Sequence, residues 1–224
     1  MNTFSKILAV CFIFLLFSCK NSAVLVSLKD NSMPLKEISK IENDTVFLNL
    51  RDFSNDFVFD MKYASNDNFL HKQVYPCQVC FLRAKTIKAL IEANTKLIAK
   101  GFRIKIFDCY RPLDIQKKMW KIMPDPNFVA NPKKGSIHNR GGAVDITLVD
   151  FSGKELDMGT NFDYFGEQAS HLYINFKQEI LDNRRLLKEI MLDSKFNSFD
   201  SEWWHYNLSN GLTDKVSNFK WRCN

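Results

Sequence analysis

No dense block of lysine and arginine occurs in this chain; its 31 basic residues are scattered among 25 acidic ones. That pattern excludes the basic stripe of a nucleic-acid-binding protein and leaves the net charge of +6 as a mild bias of a solvated surface. Internal repeats and low-complexity tracts are also missing, which excludes solenoid and tract-like architectures. The apolar run at residues 7–17 is too short to cross a bilayer comfortably. The pair in Cys77-Gln78-Val79-Cys80 has no second pair of its kind, so it cannot supply the four ligands of a structural zinc site. Histidines number only four, and any imidazole-based centre must draw on His71, His138, His171 and His205.

What is present suits one catalytic domain with a full core and a short appendage, since 224 residues at 46% hydrophobic and 25% charged is an ordinary globular composition. Lys6, the apolar run and Ser18-Cys19 together read as a secretory signal ending in a small-residue cleavage site. Leu16-Phe17-Ser18-Cys19 resembles a bacterial lipobox, which predicts a lipid on Cys19 as the only membrane contact and places the protein in the cell envelope or periplasm. Residues 20–43 are polar and without period, and are expected to tether the domain at residues 44–224. The remaining Cys77, Cys80, Cys109 and Cys223 permit two disulfides in three connectivities.

Apolar residues Ile87, Leu90, Ile91, Leu97 and Ile98 recur at helical spacing before Gly101, which predicts a helix over residues 84–100. Residues 103–107 alternate as a strand, and Pro112 is placed to open a helix running to about 122. A second strand is predicted at 143–149, a long helix at 177–192 and a last strand-like segment at 199–208. Helices and strands that do not alternate regularly indicate an α+β domain.

Three of the eight glycines, Gly135, Gly141 and Gly142, bracket His138, with Asp145 just beyond. They would fold a loop that lets His138 and Asp145 converge, and an imidazole with a carboxylate makes two good zinc ligands. His205 is the favoured third ligand because Glu202 lies three positions before it, with Trp203 and Trp204 between. A carboxylate beside a metal but not bound to it is the usual base for activating water. For both groups to face one point, the strand must bend or bulge, and the indoles would then wall the site.

These residues, together with Tyr63-Ala64-Ser65, Asn68-Phe69, Cys80 to Arg83, Asp108-Cys109-Tyr110-Arg111-Pro112, Asp157-Met158-Gly159-Thr160, Phe162-Asp163 and the helix carrying Asn183 and Met191, resemble the D-alanyl-D-alanine dipeptidases. That group, which includes the vancomycin-resistance dipeptidase, lies within the zinc D-Ala-D-Ala peptidases related to the hedgehog fold. The resemblance implies an antiparallel sheet with flanking helices, one Zn2+ per chain on His138, Asp145 and His205, and a small D,D-dipeptide as substrate. It makes Glu202 the acid/base and Arg111 the partner of the charge that builds on the carbonyl oxygen. It further implies that Ser136 and Asp163 meet the substrate's amino end, with Tyr63 at the pocket edge. His71 and His171 belong to no motif and are expected to be structural. The competing readings are a zinc D,D-carboxypeptidase acting on peptidoglycan stems and a metal-bearing binding module without turnover; retention of Glu202 and Arg111 weighs against the second.

Overall fold

The computed structural model describes residues 38–223. The expected signal, the lipidated Cys19 and most of the tether therefore lie outside the described residues. Ile38 is already fully buried in the core, so the end of the expected tether is docked on the domain.

Among the described residues there are seven strands: β1 (Phe47–Asn49), β2 (Val58–Phe59), β3 (Phe81–Arg83), β4 (Phe102–Asp108), β5 (Ala143–Asp150), β6 (Phe196–Phe199) and β7 (Glu202–Leu208). Three α-helices accompany them: α1 (Ala84–Ile98), α2 (Leu113–Ile122) and α3 (Gln178–Asp193). Five strands form one sheet in the order β2-β4-β5-β7-β6, while β1 and β3 pair separately. The arrangement is α+β, with α1 packed on β4 and α3 on β5, β6 and β7. The pairing is antiparallel except between β2 and β4, which run parallel and make the sheet mixed.

The helices follow the apolar spacing read from the sequence. Ile87, Leu90, Ile91 and Leu97 form the buried stripe of α1, and Ile180, Leu187, Ile190 and Met191 that of α3. The expected strand-like segment at 199–208 is β7 from Glu202 onward; its first residues close β6 and turn at Asp200 and Ser201, so the two strands form a hairpin. The short β1, β2 and β3 have too few residues to show a period. In β5 all but the last residue is buried: Val144, Ile146 and Leu148 share one face, and Asp145 and Thr147 the other. Being central, this strand can present a carboxylate to a dry site and apolar groups to the core at once.

The C-terminal segment completes the domain. Ser217 N–H donates to the Asn139 carbonyl at 2.8 Å, and Leu113 N–H donates to the Ser217 carbonyl at 3.2 Å. Arg83 spans the two chain ends, donating to the Thr45, Arg140 and Lys215 carbonyls and lying 3.6 Å from Asp214. Two disulfides fix the cysteine connectivity as Cys77–Cys223 and Cys80–Cys109. The two cysteines of the Cys-x-x-Cys pair thus bond elsewhere and not to each other.

His171, expected to be structural, lies near Tyr206, and its backbone N–H donates to the Asp200 carbonyl. Burial, followed by the nearby Lys188 and Arg184 cations, pulls its pKa down to about 4. The folded ring stays neutral well below the pH at which the unfolded ring charges, so the unfolded state binds the proton first. Stability from this group is complete above about pH 6.5 and is lost as pH falls toward about 4. Thermal melts of His171→Phe should therefore lose less stability than wild type over that window, by up to about 2 kcal/mol after allowing for solvent at the half-buried ring.

Candidate metal centre and catalytic site

Strand register builds the floor of the site. Asp108 on β4 is paired with Asp145 on β5, which is paired in turn with His205 on β7. The row depends on an irregularity in β4, where the register shifts between Ile106 and Asp108 and turns Asp108 toward the face that carries Asp145. His138 comes from the short 3-10 turn His138–Arg140 just before β5. Gly141 ends that turn at φ +73, where an added Cβ would collide with the Phe47 ring. The turn is held by Asn139, whose amide donates to the Arg111 carbonyl at 2.7 Å, and by Arg111 N–H donating to the His138 carbonyl at 3.0 Å.

One donor atom from each of His138, Asp145 and His205 lies within 4.8 Å of the others. The outer hydrogen bonds decide what these atoms offer. His138 Nδ1 is 2.7 Å from the Cys109 carbonyl, which can only accept, so Nδ1 carries the proton and Nε2 keeps its lone pair. His205 Nε2 is bonded to Asn207 Oδ1 at 2.9 Å, which turns its Nδ1 inward. His138 Nε2 and His205 Nδ1 then approach to 3.2 Å, flanked by Asp145 at 3.4 and 2.9 Å. Two imidazole nitrogens and a carboxylate that converge on one point form a divalent-cation site by donor chemistry. Burial alone would raise Asp145 and lower His205; His138 and His205 instead hold Asp145 below the carboxylate range, and Asp145 lifts His205 to about 8.

Glu202 stands beside this cluster, its Oε2 3.9 Å from His205 Nδ1. The expected bulge is present: pairing jumps from Ser198–Tyr206 to Phe199–Glu202, leaving extra residues on β7. Burial pushes the Glu202 carboxyl above its usual value, against the pull of His205. Arg111 lies under the site, donating to Asp108 at 2.7 Å and to Gln116 at 3.1 Å, while its buried Nε has no partner. Burial alone would make Arg111 easier to deprotonate, but Asp108 outweighs it and holds the guanidinium charged. Asp108 also accepts from Tyr75 at 2.7 Å and from the Cys109 N–H at 2.9 Å.

The residues expected to bind substrate divide. Asp163 and Tyr63 meet at 2.9 Å, with Tyr63 also under the Arg111 guanidinium at 5.2 Å. Asp163 adopts φ +57, a left-handed conformation that a non-glycine residue holds only when its surroundings impose it. Burial, reinforced by Asp145, pushes its carboxyl well above the ordinary range. Ser136 is in the loop that carries His138, with its hydroxyl donating to Asn139 Oδ1 at 3.2 Å. The two tryptophans are fully buried and anchor the loop that carries Asp163: Trp203 Nε1 donates to Thr160 at 2.8 Å, and Trp204 packs on Phe162.

Arg184 and Asn207 also serve the site, although neither stands in a motif of the sequence. Arg184 donates to the Met158, Ser170 and Gln168 carbonyls and so pins the same loop to α3. A lone arginine between Ile180 and Leu187 on an apolar helical stripe was its signal. For Asn207 the signal was the two-residue spacing from His205, which puts both on one face of a strand. A polar cleft of about 750 Å³ opens beside the centre, lined in part by Lys62, Thr147, Asp157 and Asp163. None of the three donor residues lines it, so convergence of donors, and not cavity size, places the chemistry.

A family model described as D-ala-D-ala dipeptidase matches residues 43–221. Similar proteins include the D-alanyl-D-alanine dipeptidase of Escherichia coli, 37% identical over 153 residues that cover 68% of this chain and 79% of that protein. The D-alanyl-D-alanine dipeptidase of Enterococcus faecalis is 32% identical over 183 residues, covering 72% and 91%. That of Enterococcus faecium is 30% identical over 171 residues, covering 67% and 85%.

Because His205 holds a proton up to about pH 8 at the nitrogen that faces the other donors, proton and cation compete for one position. Affinity for a divalent cation should therefore weaken by about tenfold per pH unit below that value, measured by competition with a chromophoric chelator. An affinity independent of pH between 6 and 8 would remove His205 from the centre.

Proposed function

The chain belongs to the D-alanyl-D-alanine dipeptidase family of metal-dependent peptidases, and from that premise we propose that it hydrolyses free D-Ala-D-Ala to two molecules of D-alanine with one Zn2+ held by His138, Asp145 and His205. The observation that carries the zinc assignment is the pinning of both imidazoles by the Cys109 carbonyl and Asn207, which leaves two nitrogens and a carboxylate directed at one point. When bound there, zinc polarises the scissile carbonyl and lowers the pKa of its water to about 7.

The chain's own groups do the rest. Glu202, raised by burial and next to His205, takes the proton of the attacking water and delivers it to the departing amine. Arg111 remains charged because Asp108 neutralises its burial, and it has donors to spare after binding Asp108 and Gln116. It is suited to complement negative charge building on the carbonyl oxygen. Asp163, half-buried with Tyr63 as its hydrogen-bond partner, gains an ionic partner when the substrate's free ammonium arrives. That pairing supports a dipeptide with an unblocked amino end over an acylated stem peptide. Ser136, two residues before His138, is assigned to the same end of the substrate.

Export and a lipid anchor on Cys19 are part of this proposal. All four cysteines of the described residues are paired, which suits an oxidising compartment. An enzyme in the envelope would recover D-Ala-D-Ala released by wall turnover. A Cys19→Ala chain should appear in the soluble fraction instead of the membrane fraction, and deleting the gene should reduce growth on the dipeptide.

Glu202→Ala should retain one zinc per chain by metal analysis while losing about 100- to 10,000-fold in D-Ala-D-Ala hydrolysis. Chelation should abolish activity and added Zn2+ restore it. Full activity of Glu202→Ala, or preferential cleavage of N-acylated D-Ala-D-Ala, would overturn the reading. Asp163→Asn should raise KM for D-Ala-D-Ala more than it lowers kcat, because it removes the ammonium's partner without touching the base.

A further inference from the structure

Cys109 lies between two residues of the site, Asp108 and Arg111, at the point where β4 has left the sheet. The β4–β5 ladder ends at the Asp108–Asp145 pair, so no strand partner holds the Cys109 carbonyl. That carbonyl is nevertheless the acceptor for His138 Nδ1 at 2.7 Å. Its position is set by two connections to β3 and the residue before it. Tyr110 N–H donates to the Phe81 carbonyl at 3.0 Å, and the Cys109 side chain is bonded to Cys80, with Cα atoms 5.4 Å apart. Both cysteines are fully buried, and Cys80 is itself held by its carbonyl, which accepts from Leu50 N–H at 2.9 Å.

We propose that the Cys80–Cys109 disulfide is a positioning element of the metal centre, fixing the carbonyl that selects the metal-binding tautomer of His138. A neutral imidazole carries one proton, and the acceptor on one nitrogen decides which nitrogen keeps the lone pair. With the Cys109 carbonyl in place, the proton sits on Nδ1 and Nε2 faces Asp145 and His205. Once the carbonyl moves away, the proton can occupy Nε2, and the nitrogen that should meet the cation becomes a donor. The disulfide also holds the Cys109 N–H, which donates to Asp108 at 2.9 Å, the carboxylate that binds Arg111. Cys77–Cys223 makes no bond to Cys109: it ties the C-terminal segment to the chain three residues before Cys80.

This inference rests on the metal reading of the site, and the two can be separated in one experiment. Zn2+ affinity is measured by chelator competition for wild type, for Cys80→Ser with Cys109→Ser, and for Cys77→Ser with Cys223→Ser. Loss of an outer-shell partner typically costs 10- to 100-fold in metal affinity, and a loss of about that size is expected for the first pair, with less than about threefold for the second. Since serine is poorly suited to so dry a position, Cys80→Ala with Cys109→Ala provides the same comparison in an apolar form. Two-bond 1H–15N spectra of the metal-free proteins read the tautomer directly: His138 should be Nδ1-protonated in wild type and mixed in the Cys80/Cys109 variants. Wild-type affinity and tautomer in a folded Cys80/Cys109 variant would overturn the proposal, as would equal loss in both pairs. Failure of wild type itself to bind Zn2+ would instead overturn the metal reading beneath it.

Discussion

Three neighbouring antiparallel strands hold Asp108, Asp145 and His205 in one row, and the rest of the site is arranged around that register. Side chains alternate along a strand, so a slip of one residue would send Asp145 into the apolar core and turn Val144 and Ile146 out of it. The buried apolar face of β5 makes such a slip costly, and the hydrophobic core thereby acts as the alignment device for the polar centre. From this row the remaining contacts follow. Asp108 holds Arg111, Arg111 holds the His138 turn through its backbone, and the turn brings His138 over Asp145.

Charge balance is the second constraint. Asp108, Asp145, Arg111 and His138 are each at least nine-tenths buried, where an unmatched charge costs several kcal/mol. Asp108 is matched by Arg111 and by two further donors, Tyr75 and the Cys109 N–H. Asp145 is matched only by imidazole nitrogens, which attract a proton or a cation to the same point. Asp163 has a neutral phenol as its partner and stays a poor carboxylate until a cationic group reaches it. The site is thus best satisfied around Arg111 and least satisfied at Asp163.

The loop that carries Asp163 shows how distant elements share one task. Arg184 on α3 binds three of its carbonyls, Trp203 binds Thr160, and Trp204 packs against Phe162. The tryptophans next to Glu202 were expected to wall the site and limit water access; Trp203 lines the cleft, and both buried rings also fix the backbone that carries Asp163. The local strain at Asp163 is sustained by these attachments.

Much of this was legible in the chain alone. Apolar spacing located α1, α3 and β4, because each is long enough for its period to emerge above composition, and Pro112 marked the start of α2. The glycines around His138 and the Glu202 to His205 spacing pointed to a metal centre through donor chemistry that needs no coordinates. Strands of two or three residues, the hairpin at Asp200 and the parallel β2–β4 pair were not legible, since short segments and pairings depend on distant partners. The connectivity of the four cysteines likewise required the fold to bring Cys80 to Cys109 across 29 positions and Cys77 to Cys223 across 146. Residue types and local spacing therefore determined which chemistry was available. Only the tertiary structure decided which lone pairs face one another, because a tautomer is set by its hydrogen-bond partner, and the Cys109 carbonyl lies 29 residues from His138.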